Sequence, residues 1–128
     1  MAVHSHYNGA REIITAIPVS TLNKDEMLLV ISTFPDIDKA KMLAHQIVEK
    51  QLVACCNIVP GVTSIYRWEG ELSEDQECLL IMKTSSSQYQ QLEEFIKHHH
   101  PYDIPELVAV PVTTGLEEYL SWVIKETS

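Results

Sequence analysis

The chain has 128 residues, 45% of them apolar and 21% charged, and a net charge of −9. That length supports one domain with a substantial core, and the composition excludes wholesale disorder. Only nine basic residues are present, scattered along the chain, which excludes the clustered Lys and Arg that nucleic acid requires.

Met1 to Glu26 reads as an N-terminal extension, and Met27 to Ser128 as the folded domain. The apolar piece of the extension, Ile13 to Val19, is broken by Thr15 and Pro18 and has no basic region before it, so it makes a poor signal peptide. His4 and His6 lie in the same extension. No apolar run approaches the roughly 20 residues that span a bilayer. MLLVISTF, Met27 to Phe34, is a continuous apolar run that predicts a strand buried on both faces. Asp36 or Asp38 caps the following helix, with Ala40, Leu43, Ala44, Ile47 and Val48 on its inner side. LVACCNIVPGVTSIYRWEG then predicts a long strand, bent or bulged at Pro60-Gly61 and turned at Glu69-Gly70. The return strand carries ECLLIMKT, Glu77 to Thr84. Ser85-Ser86-Ser87 offers caps for a second helix, with Tyr89, Leu92, Ile96 and His99 along one side. Glu106 to Thr113 reads as a fourth strand, placed at an edge by Pro111. Thr114-Gly115 opens a last helix, with Leu116, Leu120, Val123 and Ile124 inward.

The order β-α-β-β-α-β plus a terminal helix is an α+β, ferredoxin-like arrangement with a long hairpin between its second and third strands. Both helices of that arrangement lie on one sheet face, yet the Met27 to Ile31 and Cys78 to Met82 segments are apolar at every position. The second face therefore wants cover, and a second copy of the chain is the expected source.

Four blocks in order, LVACCNIVPGVTSIYRWEGEL, CLLIMKT, HHHPYDIPELVAVPV and YLSWV, resemble the CutA family, which is associated with divalent-cation tolerance. The resemblance covers about residues 27 to 126. It implies a homotrimer of ferredoxin-like subunits, similar in architecture to the PII signalling proteins. It also implies binding of copper or another divalent metal. The family's metal residues match His99, His100 and Glu106 here. Some relatives carry a cysteine in the first strand, where this chain has Ser32. In CutA trimers, polar and amphipathic residues gather near clefts between subunits, which implicates Arg67, Trp68, Glu69, Lys83, Tyr102 and Trp122.

Two readings of His98-His99-His100 stay open. Neighbours on a helix are rotated by about 100°, so three adjacent imidazoles do not converge on one ion. As a helix end, the run complements the macrodipole. As a metal site, it relies on Pro101 to release His100 from the helix. His99 and His100, with an oxygen from Glu106, then suit Cu(II) or Zn(II) better than Mg(II). On the helical pattern His99 is partly buried and His98 faces out. Lys83, on the side of Leu79 and Ile81, is either half of an interfacial ion pair or a ligand contact.

Three cysteines, an odd number, do not make a disulfide framework, which points to a reduced, cytoplasmic protein. Cys55 and Cys56 are strand neighbours aimed at opposite faces, and Cys78 is too far along the partner strand to bridge. All three read as small buried hydrophobes. There is no nucleophile elbow, Gly-rich phosphate loop or HExxH, so the expectation is a binding protein rather than an enzyme. The rival reading is a PII-like signalling trimer with a small-molecule ligand in its intersubunit clefts.

Overall fold

The computed structural model describes residues 16–19 and 26–128. Most of the extension, including His4, His6 and Ile13 to Thr15, lies outside them. Strand β1 (Met27–Phe34) leads to helix α1 (Ile37–Glu49), whose N-cap is Asp36. The Asp36 carboxylate accepts the Lys39 amide at 2.9 Å, satisfying one of the first-turn N–H groups that have no helical partner. Ala40, Leu43, Ala44 and Ile47 are buried as the spacing requires. Val48, expected inward, is 40% exposed because it stands at the edge of the stripe. The helix closes through the Leu52 amide on the Ile47 carbonyl at 3.0 Å, with Gln51 at φ 60.

Strands β2 (Cys55–Trp68) and β3 (Glu71–Ser85) form the long hairpin. Their register slips between Val59 and Val62, at Pro60-Gly61, where Gly61 has φ 72. Proline removes a ladder donor and glycine takes the left-handed conformation that a bulge needs. At the tip, Trp68 pairs with Glu71 across Glu69 and Gly70. Both turn residues have positive φ, 49 and 80, the two-residue geometry whose twist matches the flanking strands.

Helix α2 (Tyr89–His99) buries Leu92 and Ile96. The serines expected to cap it do not. Its N-cap is Gln88, which makes no side-chain cap bond, because β3 runs on through Ser85. The Ser85 hydroxyl is 3.0 Å from that of Ser87 and accepts one from Thr127 Oγ1, also at 3.0 Å. Strand β4 (Leu107–Pro111) and helix α3 (Glu117–Glu126) complete the chain. Val123 is buried and Leu120 and Ile124 are half-buried. Leu116, expected inward, is 68% exposed because it is the N-cap residue and precedes the packed turns.

The strands form one antiparallel sheet in the order β2-β3-β1-β4, so Pro111 lies on an edge strand as expected. Leu28, Val30 and Phe34 of β1 meet Leu80 and Met82 of β3 beneath α1 and α2. Each such fully buried side chain contributes about 1.5–3 kcal/mol of transfer free energy. Directly paired residues share a face, so Leu29, Ile31, Leu79, Ile81, Lys83, Cys55, Val108 and Val110 line the opposite side. Helix α3 covers one end of that side, through Tyr119 against Cys55 and Thr127 against Ser85. Past α3 it stays open, with Val108 and Val110 each about half exposed.

Candidate functional site

The three histidines end in three different environments. His98 Nδ1 lies 2.8 Å from the Glu94 carbonyl, and His99 Nδ1 2.8 Å from the Phe95 carbonyl. A carbonyl only accepts, so Nδ1 carries a proton in both rings, and Nε2 is the nitrogen that bears the lone pair when the ring is neutral. His99 is exposed and stacks on Phe95 with ring centroids 4.0 Å apart. Its expected partial burial fails because the stripe ends at Ile96, and the ring lies along Phe95 on the outside. An open groove of 750 Å³ runs past both rings. Lys50, also lining it, stands 5.7 Å over the Phe95 ring.

His100 is the buried one, at 8% exposure. The chain leaves the helix at its extended backbone, φ −73 and ψ 141, as the following Pro101 demands. Its Nε2–H donates to the Thr33 carbonyl at 2.8 Å, and its Nδ1 accepts the Tyr102 amide at 3.1 Å. The ring packs between Phe34 and Tyr102, at 4.2 and 5.1 Å. Accepting at one nitrogen and donating at the other requires the neutral form, and burial holds its pKa below the usual imidazole value. His100 thus pins the end of α2 to β1, and within one chain it has no lone pair left for a metal.

Glu106 is half-buried at the start of β4. The residue after it, Leu107, pairs with Ser32, whose hydroxyl is fully buried without a hydrogen-bond partner. Among the described residues of one chain, no three His, Cys, Asp or Glu side chains gather as a metal-holding group. His99 fits a metal by donor chemistry, since a ligating imidazole ordinarily gives its other N–H to a carbonyl. His100, as hydrogen-bonded here, does not.

The six cleft residues fall into separate regions. Arg67, Trp68 and Glu69 sit at the hairpin tip, where Arg67 Nη1 donates to the Gly70 carbonyl at 3.3 Å. Lys83 lies twelve residues from Glu71 along β3, about 40 Å at the usual strand rise. Its ammonium donates to Asn57 Oδ1, and it pairs with Cys55 and Leu29. Trp122 is 41% exposed on α3, its ring 5.8 Å from that of Tyr119. Tyr102 donates from its hydroxyl to Glu77 Oε2 at 2.8 Å. Glu77 is almost fully buried and was not singled out by sequence. A carboxylate heading the apolar run CLLIMKT was the available signal.

All three cysteines are free. Cys55 pairs with Lys83 and Cys56 with Met82. Burial, followed by the neighbouring Cys55, pushes the Cys56 thiol up to about 12, so it is no nucleophile. Cys55 Sγ is 3.6 Å from the Tyr119 hydroxyl. Among the described residues, no helix is long and apolar enough to cross a membrane.

An antiparallel βαββαβ sheet with both internal helices on one face defines a ferredoxin-like protein, here marked by a long hairpin arm and a His-His-Pro-Tyr corner locked to β1. Residues 28–126 match the family described as CutA1 divalent ion tolerance protein, and the chain belongs to that family. It is 48% identical over 99 residues to the divalent-cation tolerance protein CutA of Thermus thermophilus, covering 77% of this chain and 96% of the relative. The Citrobacter koseri protein of the same description is 45% identical over 98 residues, covering 77% and 85%. The crystal structure of CutA1 from Oryza sativa superposes with a TM-score of 0.78 at 42% identity, over 80% of this chain and 94% of that one.

Proposed function

We propose that this protein is a non-enzymatic, cytoplasmic homotrimer that binds a divalent cation, Cu(II) foremost and Zn(II) next, in the cell's response to metal. The observation that carries the metal reading is the His99 ring, held on Phe95 at the groove with Nδ1–H spent on a carbonyl, which leaves Nε2 as the donor atom for a metal. Glu106 supplies the carboxylate. The third donor is either His100, after releasing the Tyr102 amide, or a group from a second copy. A neutral imidazole with a carboxylate favours Cu(II) or Zn(II), and Ser32 offers no thiolate for Cu(I).

Assembly follows from the uncovered sheet face and from the distance between Lys83 and the hairpin tip, which a single chain does not close. A second copy supplies both the cover and the approach, forming clefts from Arg67, Trp68 and Glu69 of one chain with Lys83, Tyr102 or Trp122 of another. The same clefts suit the alternative reading, a PII-like trimer that takes a small-molecule signal. Free Cys55, Cys56 and Cys78 support a reducing compartment. A recovered protein with its thiols oxidised would argue against it.

Native mass spectrometry decides among these, with Cu(II) or Zn(II) titrated against a weak competing chelator. The expected result is a trimer taking one ion per chain, with uptake lost in His99→Ala. Unchanged uptake in that variant removes the metal site, and a trimer that stays bare leaves the cleft reading. A monomer overturns the assembly.

A further inference from the structure

A second cavity, of 790 Å³, lies on the far side of α2 from the exposed histidines. Its floor is Leu107 and Ala109 of the edge strand β4, and its side wall is α2 at Tyr89 and Glu93. The opposite wall comes from the extension, where Val19 packs against the core and Ile17 is 77% exposed. That wall precedes the family-matched residues 28–126, so the enclosure is a feature of this chain rather than of the shared fold. The volume falls in the range of small-molecule sites, about 300–1,000 Å³.

The lining is apolar but for α2, which brings Tyr89, Gln90 and Glu93 to it. There Tyr89 is half-buried beside Glu93, and burial, followed by the neighbouring carboxylate, pushes the phenol up to about 12. Tyr89 therefore stays neutral, and among the described residues Glu93 is the only charged one lining the cavity, with no Lys, Arg or His. The described lining repels an anion through the Glu93 carboxylate and attracts a cation through that carboxylate and the Tyr89 ring. We infer that the cavity between α2, β4 and Ile17–Val19 binds an organic ammonium with an apolar body, the charge at Glu93 and Tyr89 and the body over Leu107 and Ala109.

The test is isothermal titration of the full chain with n-octylammonium, n-octanol and n-octanoate, with amide chemical shifts mapped in parallel. Octylammonium is expected to bind once per chain, at least tenfold tighter than octanoate, with the largest shifts at Tyr89, Gln90 and Ala109. Glu93→Gln should weaken octylammonium about tenfold and leave octanol unchanged. Ala109→Trp, which fills the cavity, should abolish binding of both while His99-dependent metal uptake persists. Octanoate binding as tightly as octylammonium, shifts centred elsewhere, or no saturable binding overturns the assignment. If Ala109→Trp fails to fold, Glu93→Gln alone decides.

Discussion

Replacing His100 with alanine removes two hydrogen bonds and two ring contacts at one point. The bonds to the Thr33 carbonyl and from the Tyr102 amide are each worth about 1 kcal/mol net. The packing against Phe34 and Tyr102 adds about 0.5–1.5 kcal/mol per ring pair. The sum, about 3–5 kcal/mol, is a large share of the roughly 5–15 kcal/mol that holds a domain folded. Urea unfolding at one fixed protein concentration measures it. The pH dependence has a definite sign. The native pKa of His100 is lowered, so the unfolded chain takes up the proton first, near about 6.5. This part of the stability is complete above that value and is lost as pH falls through the native pKa. The gap between wild type and His100→Ala should therefore narrow from pH 7.5 to pH 5. A loss under about 1 kcal/mol, or a gap that widens on acidification, would refute the lock between α2 and β1.

Two buried hydroxyls should behave oppositely. Thr84→Val removes the 2.6 Å bond to the Leu52 carbonyl and should lower the unfolding free energy by about 1–2 kcal/mol, whereas Ser32→Ala discards a buried hydroxyl with no partner and should be neutral or stabilising. Gln51→Gly relieves a left-handed residue at the end of α1 and should raise thermal stability by about 0.5 kcal/mol; a destabilised variant would show that the Gln51 side chain outweighs the strain. Iodoacetamide at pH 8, followed by peptide mass analysis, should leave Cys56 unmodified in the folded protein, since its thiol lies near 12; rapid labelling of the native state would refute that burial.

The fold was legible because its signals are local and agree with one another. The apolar run at Met27–Phe34, the Pro60-Gly61 interruption and the Glu69-Gly70 turn each specify one geometry. The uncovered second sheet face was legible too, since alternation fails wherever both sides are apolar. The site was harder. Helical periodicity assigned burial to His99, yet His100 is the inward ring, because Pro101 forces its extended backbone and swings it over Phe34. Its bond to Thr33, 67 residues earlier, has no trace in local sequence. Glu77 and Tyr102 share that difficulty: their meeting depends on the loop after α2 reaching back to strand β3. The serine caps failed because Ser85 was already committed to β3 and to Thr127.

The bulge at Pro60-Gly61 also separates what is free to vary from what is not. On the base side, β2 is tied through β3 to β1 and the core, so a one-residue shift would turn Cys56 and Ile58 away from α1. On the tip side, Val62–Trp68 and Glu71–Glu77 pair only with each other. Removing or adding two residues in each strand there preserves which side every remaining residue faces, and the sheet does not register the change. The arm's reach is thereby a quantity that insertions and deletions adjust in steps of about 7 Å, independently of the domain that carries it.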